Sequence, residues 1–176
     1  FGDSTVDVGN VFLTSGQTFP PSPPYFEGRF SNAEIFVERV AEALGLSAST
    51  PSVAGGDNYA FGSALLGDGT SPEGIPNVGE QVNLFLNGNT PSEDALIFLS
   101  GGSFDFLLPT LPNSETLVDQ LSGHLTTLAD AGGENFAVVN VPPLGNSPFI
   151  SEQGRTEAVN SAIAQYNTLL DSELDT

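Results

Sequence analysis

The chain contains no cysteine, no lysine and no methionine. Without cysteine it forms neither disulfides nor thiolate metal sites, and its redox compartment stays open. Without lysine, positive charge is confined to Arg29, Arg39 and Arg155, set against 22 acidic residues for a formal net charge of -19. Such a surface repels phosphate backbones and anionic headgroups, so nucleic acid and anionic lipid are disfavoured as partners, and solubility in a salty or extracellular setting is expected. Acidic side chains can hold calcium, yet no loop has the regular oxygen-ligand spacing of an EF-hand. Long apolar runs are missing as well; none approaches the roughly 20 residues that cross a bilayer, so no transmembrane segment is expected. With no initiator methionine and a first residue that falls directly on a motif, an N-terminal stretch is expected to have been removed.

What is present suits one globular domain over residues 1–176, with 39% hydrophobic against 14% charged residues. "SNAEIFVERVAEALG" predicts a helix with a Ser31/Glu34 capping box and an apolar face of Phe36, Val40, Ala43 and Leu44. "NVGEQVNLFLNG" predicts a second, capped by Asn77, with Val78, Val82, Phe85 and Leu86 inward. "ALIFLSGG" is a continuous apolar run ending in glycines, as a strand covered on both faces reads. "SETLVDQLSGHLTTLADAGG" predicts a third helix on Leu117, Leu121, Leu125 and Leu128, and "FAVVNVPPLG" a further buried strand stopped by Pro142 and Pro143. A last helix from about Gly154 carries Val159, Ile163, Tyr166, Leu170 and Leu174 on one face.

Helices alternating with such strands predict an α/β fold around a mainly parallel sheet. "FPPSPPYFEG" and "LGDGTSPEGIPN" read as surface loops. Both ends look unfinished: only Phe1 precedes Gly2-Asp3-Ser4, where a delivering strand is expected, and the last helix meets the terminus without a C-cap or a following strand.

In open α/β sheets ligands sit outside the carboxyl ends of the strands. Three small-residue loops fall there: Ser4, then Gly62 and Ser63 after a short strand candidate "NYAF", then Ser100 to Asp105. A tripeptide "GDS" alone is an ordinary turn. The longer series "FGDSTVDVGNVF", "PPSPPYFEGRFSN", "NYAFGSA", "SGGSFDFL" and "VVNVPPLGNSP" closely resembles, in order and spacing, the GDSL (SGNH) family of serine esterases and lipases. The resemblance covers nearly the whole chain and is strongest to the secreted microbial type.

That resemblance implies a flavodoxin-like three-layer α/β/α sandwich and hydrolysis of small-molecule or lipid esters through an acyl-serine intermediate, with no metal or organic cofactor. Ser4 would be the nucleophile and its N–H one oxyanion donor; the N–H of Ser63, beside Gly62, stands where the family has a glycine. Asp3, Gly102 and Asp105 would support the loops, Asp105 by bracing the nucleophile loop or by capping the next turn. The family's third block is Gly-x-Asn-Asp, whose asparagine donates to the oxyanion, but here Phe104 occupies that place. Losing one such donor costs about 2.7–4 kcal/mol. The family's Asp-x-x-His block, near its C-terminus, is not found, and the sole histidine, His124, lies on the inward stripe of the third helix and reads as a packed residue. Asp7 reads as a turn residue, Arg29 as a tie on the proline-rich loop, and Tyr25, Phe26 and Phe30 as lining an acyl pocket or pinning that loop. The resemblance therefore implies an ester hydrolase whose base lies outside the chain, or a catalytically silent binding or surface module.

Overall fold

The computed structural model describes residues 1–175. Its helices, in chain order, are α1 (Asn10–Thr14), α2 (Phe36–Ala43), α3 (Val78–Leu86), α4 (Ser114–Asp130), α5 (Pro148–Ser151) and α6 (Thr156–Leu174). Strands β1 (Leu96–Ser100) and β2 (Asn135–Val139) pair in parallel, with Ile97 opposite Phe136 and Leu99 opposite Val138. A parallel bridge from Gly2 to Ser100 lays the N-terminal residues along the other edge of β1. The helix-and-parallel-sheet reading therefore holds, and the connection from β1 to β2 runs through α4 as a parallel crossover must.

The two faces of β1 differ. Ile97 and Leu99 enter the main core with Leu117, Leu121 and Leu128 of α4 and Val159, Ile163, Tyr166 and Leu170 of α6. Leu96 and Phe98, which alternate with them, face the other way. Phe36 of α2 meets Phe98 edge-on at 6.1 Å. A groove of about 550 Å³ remains there, lined by Val40, Leu44, Phe85, Leu96 and Phe98 among others, and it includes none of Ser4, Ser63 or Phe104.

Several local expectations change. The first predicted helix begins at Phe36, not near Ser31, because Glu38 rather than Glu34 reaches back, accepting from the Ile35 N–H at 2.9 Å. Its apolar face is largely uncovered, with Phe36 39% and Leu44 57% exposed. Asn77 stands at the N-cap of α3 but spends its side chain on Leu65 N–H and Asp68 O. α4 is capped by Asn113, which accepts from the Thr116 N–H. "NYAF" is not a strand; Asn58 makes a single bridge to Pro51 and the Phe61 N–H donates to Gly2 O. β2 is half-buried rather than buried, since among the described residues its second edge has no strand beside it. Leu174 is 49% exposed, past the last turn of α6 that touches the core.

Candidate active site

Ser4 is held by its neighbours, not by its own side chain. At Gly2 a side chain is impossible, because a Cβ would lie 2.1 Å from Ser100 O and φ is +148°. Gln81 of α3 clamps that glycine on both sides: the Gly2 N–H donates to its Oε1 at 2.8 Å, and its Nε2 donates to Gly2 O at 2.9 Å. Asp3 O then accepts from the Val6 and Asp7 N–H groups, so residues 3–7 close a tight turn with Ser4 at its second position. The Asp3 carboxylate accepts from the Thr5 N–H and hydroxyl, and Thr5 Oγ1 lies 3.1 Å from Ser100 Oγ. Asp3 Oδ2 is buried with no hydrogen-bond partner among the described residues.

Asp7 joins this turn to the second loop. Its Oδ1 accepts from the Gly9 and Asn10 N–H groups at 2.7 and 2.6 Å, and its Oδ2 from the Gly62 N–H at 2.9 Å. Burial pushes this carboxyl above its ordinary range, and the backbone N–H groups work against that rise. Asn58 adds a second tie, donating to Val6 O at 2.8 Å. Asn10 fixes Asn58 in turn, donating to Asn58 O and Ala60 O at 2.7 and 2.9 Å. These bonds seat Ser63 with φ at +69°, the left-handed region that favours glycine. Among the described residues no hydrogen bond engages the N–H of Ser4 or of Ser63, or the Ser4 hydroxyl.

The third loop follows β1. Gly102 has φ at +94°, and the Tyr166 ring would lie 3.5 Å from a Cβ there. Tyr166 is fully buried, and its hydroxyl donates to Gly101 O at 3.4 Å. Burial raises that phenol well above its ordinary value, with the Asp105 and Asp3 charges adding to the rise. Asp105 starts a 3-10 turn (Asp105–Leu107), and its Oδ2 accepts from the Leu66 N–H at 3.1 Å. It thus ties the third loop to the second rather than touching the turn that carries Ser4. Burial pushes its carboxyl up to about 6, against the Leu66 bond and with the Asp3 charge adding. Phe104, half-buried at the head of that 3-10 turn, has no side-chain donor to offer.

His124 is 8% exposed on α4, with Nε2 2.8 Å from Leu66 O, and makes no bond to Ser4. It is a packed residue behind the second loop. Arg29 ties the proline-rich loop to α2 through Glu38 at 2.6 Å. Burial would raise the Glu38 carboxyl, but the Arg29 guanidinium and the Ile35 N–H hold it below its ordinary value. Phe30 packs with Val11, Phe61 and Ala64. Its ring lies so close to Gly62 that a Cβ there would come within 2.2 Å of it. The roles of Gln81, Asn10 and Asn58 were missed by sequence reasoning; Asn10 closes the "DVGN" stretch, whereas Gln81 gives no signal within α3.

Three loops, stitched by buried side chains, thus present a serine and backbone N–H groups without partners among the described residues, at the carboxyl end of a parallel strand. Comparison with known proteins agrees with that architecture: the GDSL-like Lipase/Acylhydrolase profile matches residues 1–176. The chain belongs to this family of ester and acyl hydrolases, and its fold is the family's α/β sandwich. Relatives include a phosphatidylcholine-sterol acyltransferase of Aeromonas hydrophila, 29% identical over 97% of this chain and 51% of the relative. A GDSL esterase/lipase of Arabidopsis thaliana is 32% identical over 100% of this chain and 63% of its own length. A thermolabile hemolysin of Vibrio parahaemolyticus is 29% identical over 98% of this chain and 40% of its own. The chain spans about half the length of the curated relatives it matches.

Proposed function

We propose that the chain is the body of a secreted carboxylic ester hydrolase acting on small-molecule or lipid esters, with Ser4 attacking the acyl carbonyl. The observation that carries this reading is the unengaged Ser4 hydroxyl in a turn whose N–H groups at Ser4 and Ser63 are also free among the described residues. As Ser4 Oγ bonds to the carbonyl carbon, its proton passes to a base and the carbonyl electrons move to oxygen, where the two N–H groups stabilise them. Collapse expels the alcohol with that proton and leaves an acyl-serine, which water then cleaves. The base is a histidine outside these 176 residues, because His124 is packed into α4 against Leu66 O and makes no bond to Ser4. The body is a single domain that such a block completes. No metal or organic cofactor enters this scheme.

One observation favours a second reading. Phe104 stands where the family's asparagine would donate, which suits a silent module that binds a ligand without turning it over. Hydrolysis of short-chain aryl esters separates the two. The 176-residue chain is expected to show no Ser4-dependent turnover. A longer chain carrying an Asp-x-x-His block is expected to show turnover that Ser4→Ala abolishes and Phe104→Asn raises. Ser4-dependent turnover by the 176-residue chain overturns the assignment of the base, and a longer chain without turnover selects the silent module.

A further inference from the structure

Beside the Ser63 loop lies a surface that combines exposed aromatic rings with a stretch of chain free of charge. Phe19 is 51% and Tyr25 36% exposed, and both meet Phe30 edge-on, with ring centroids 5.6 and 6.2 Å away. Phe30 is the ring that covers Gly62, so this aromatic cluster reaches the residue before Ser63. Leu13, 36% exposed on α1, belongs to the same segment. From Val8 to Phe26 the chain runs nineteen residues without a charged side chain, its longest such run, in a protein with a net charge of -19. Beyond it, Arg29 is already committed to Glu38.

We propose that this uncharged aromatic loop seats the protein on a neutral or zwitterionic lipid surface, with the Ser63 loop facing that surface. Exposed rings on a polar protein surface find a favourable environment at headgroup depth, where one side is apolar and the other wet. Backbone N–H groups without partners resist entry into such a boundary, and Pro20, Pro21, Pro23 and Pro24 have none. The absence of carboxylates from Val8 to Phe26 removes the charge that would have to be dehydrated on approach. Elsewhere the acidic surface opposes anionic lipid, which restricts the partner to headgroups without net charge. The proposal rests on the ester-hydrolase reading for its purpose, since the surface would deliver lipid esters to Ser4, but its readout does not.

The chain has no tryptophan, so Phe19→Trp supplies a single indole at the patch. Titrated with dioleoylphosphatidylcholine vesicles, its emission is expected to shift to the blue and saturate. Adding Tyr25→Ser is expected to weaken vesicle binding on the order of tenfold, the loss of one buried ring. Ser4→Ala, placed beside the reporter, should leave binding unchanged, so failure of the hydrolase and failure of the docking surface give different results. Leu46→Trp, in an exposed residue lining the groove of α2 and β1, is the control and should not shift. Tyr25→Trp serves as a second reporter if circular dichroism shows Phe19→Trp to be unfolded. No shift from the folded reporter, an equal shift from Leu46→Trp, or an equal shift with a monomeric detergent below its critical micelle concentration each overturns the proposal; the last assigns the rings to a single-chain pocket.

Discussion

At Ser63 a single dihedral angle matters more than the side chain. A non-glycine residue in the left-handed region costs roughly 1–2 kcal/mol, and Ser63 adopts it at +69° because the loop is fixed on both sides by Asp7 and Asp105. Ser63→Gly removes that strain while giving the unfolded chain more freedom, so the net gain is expected to be on the order of 0.5–1 kcal/mol. A urea midpoint moved upward at unchanged slope is the expected result; a lower midpoint would mean that the serine side chain contributes contacts of its own. The same dihedral gives the family's glycine at this place a physical reason. Under the proposed function, Ser63 still offers its backbone N–H to the oxyanion, whereas Phe104 brings no side-chain donor to it.

The site's elements are three loops, and buried carboxylates hold them in register. Asp105 shows what that arrangement does to stability. Its carboxyl titrates at about 6 in the folded chain against an ordinary 3.8, so the folded state holds the proton more tightly than the unfolded one. This group's stabilising contribution is therefore full below pH about 4 and lost as pH rises through 6, on the order of 3 kcal/mol in all. Asp105→Asn retains an acceptor for the Leu66 N–H and cannot ionise. Its urea midpoint is expected to gain on the parent's as pH rises from 4 to 7; parallel profiles would remove Asp105 as the source. Much of this level was legible beforehand. Apolar periodicity located α3, α4, α6 and β1, because each buries a stripe whose spacing is local. The start of α2 was not, since Ser31/Glu34 and Ile35/Glu38 both offer a glutamate at the right interval and only the Arg29 contact selects the second. "NYAF" read as a strand because its residues suit one, yet its backbone bonds to Gly2 from a loop. Nor could spacing show that Asp7 reaches Gly62, a bond across 55 positions.

Across the whole molecule, a net charge of -19 on 176 residues sets a long-range repulsion that folding concentrates. Screening shortens its reach from about 30 Å at 0.01 M salt to about 3 Å at 1 M. The melting temperature is therefore expected to rise with sodium chloride, and equally with potassium chloride, over that range. A flat or falling profile would show that local ion pairs outweigh the net charge. Tyr166 adds a consequence of a different kind. With its ring sealed between Phe106 and Gly102 and its phenol raised by burial, it stays colourless in the near-ultraviolet phenolate band while the fold persists. In alkali, the slow appearance of its phenolate absorbance becomes a clock for the opening of the core, written into the chain without any label.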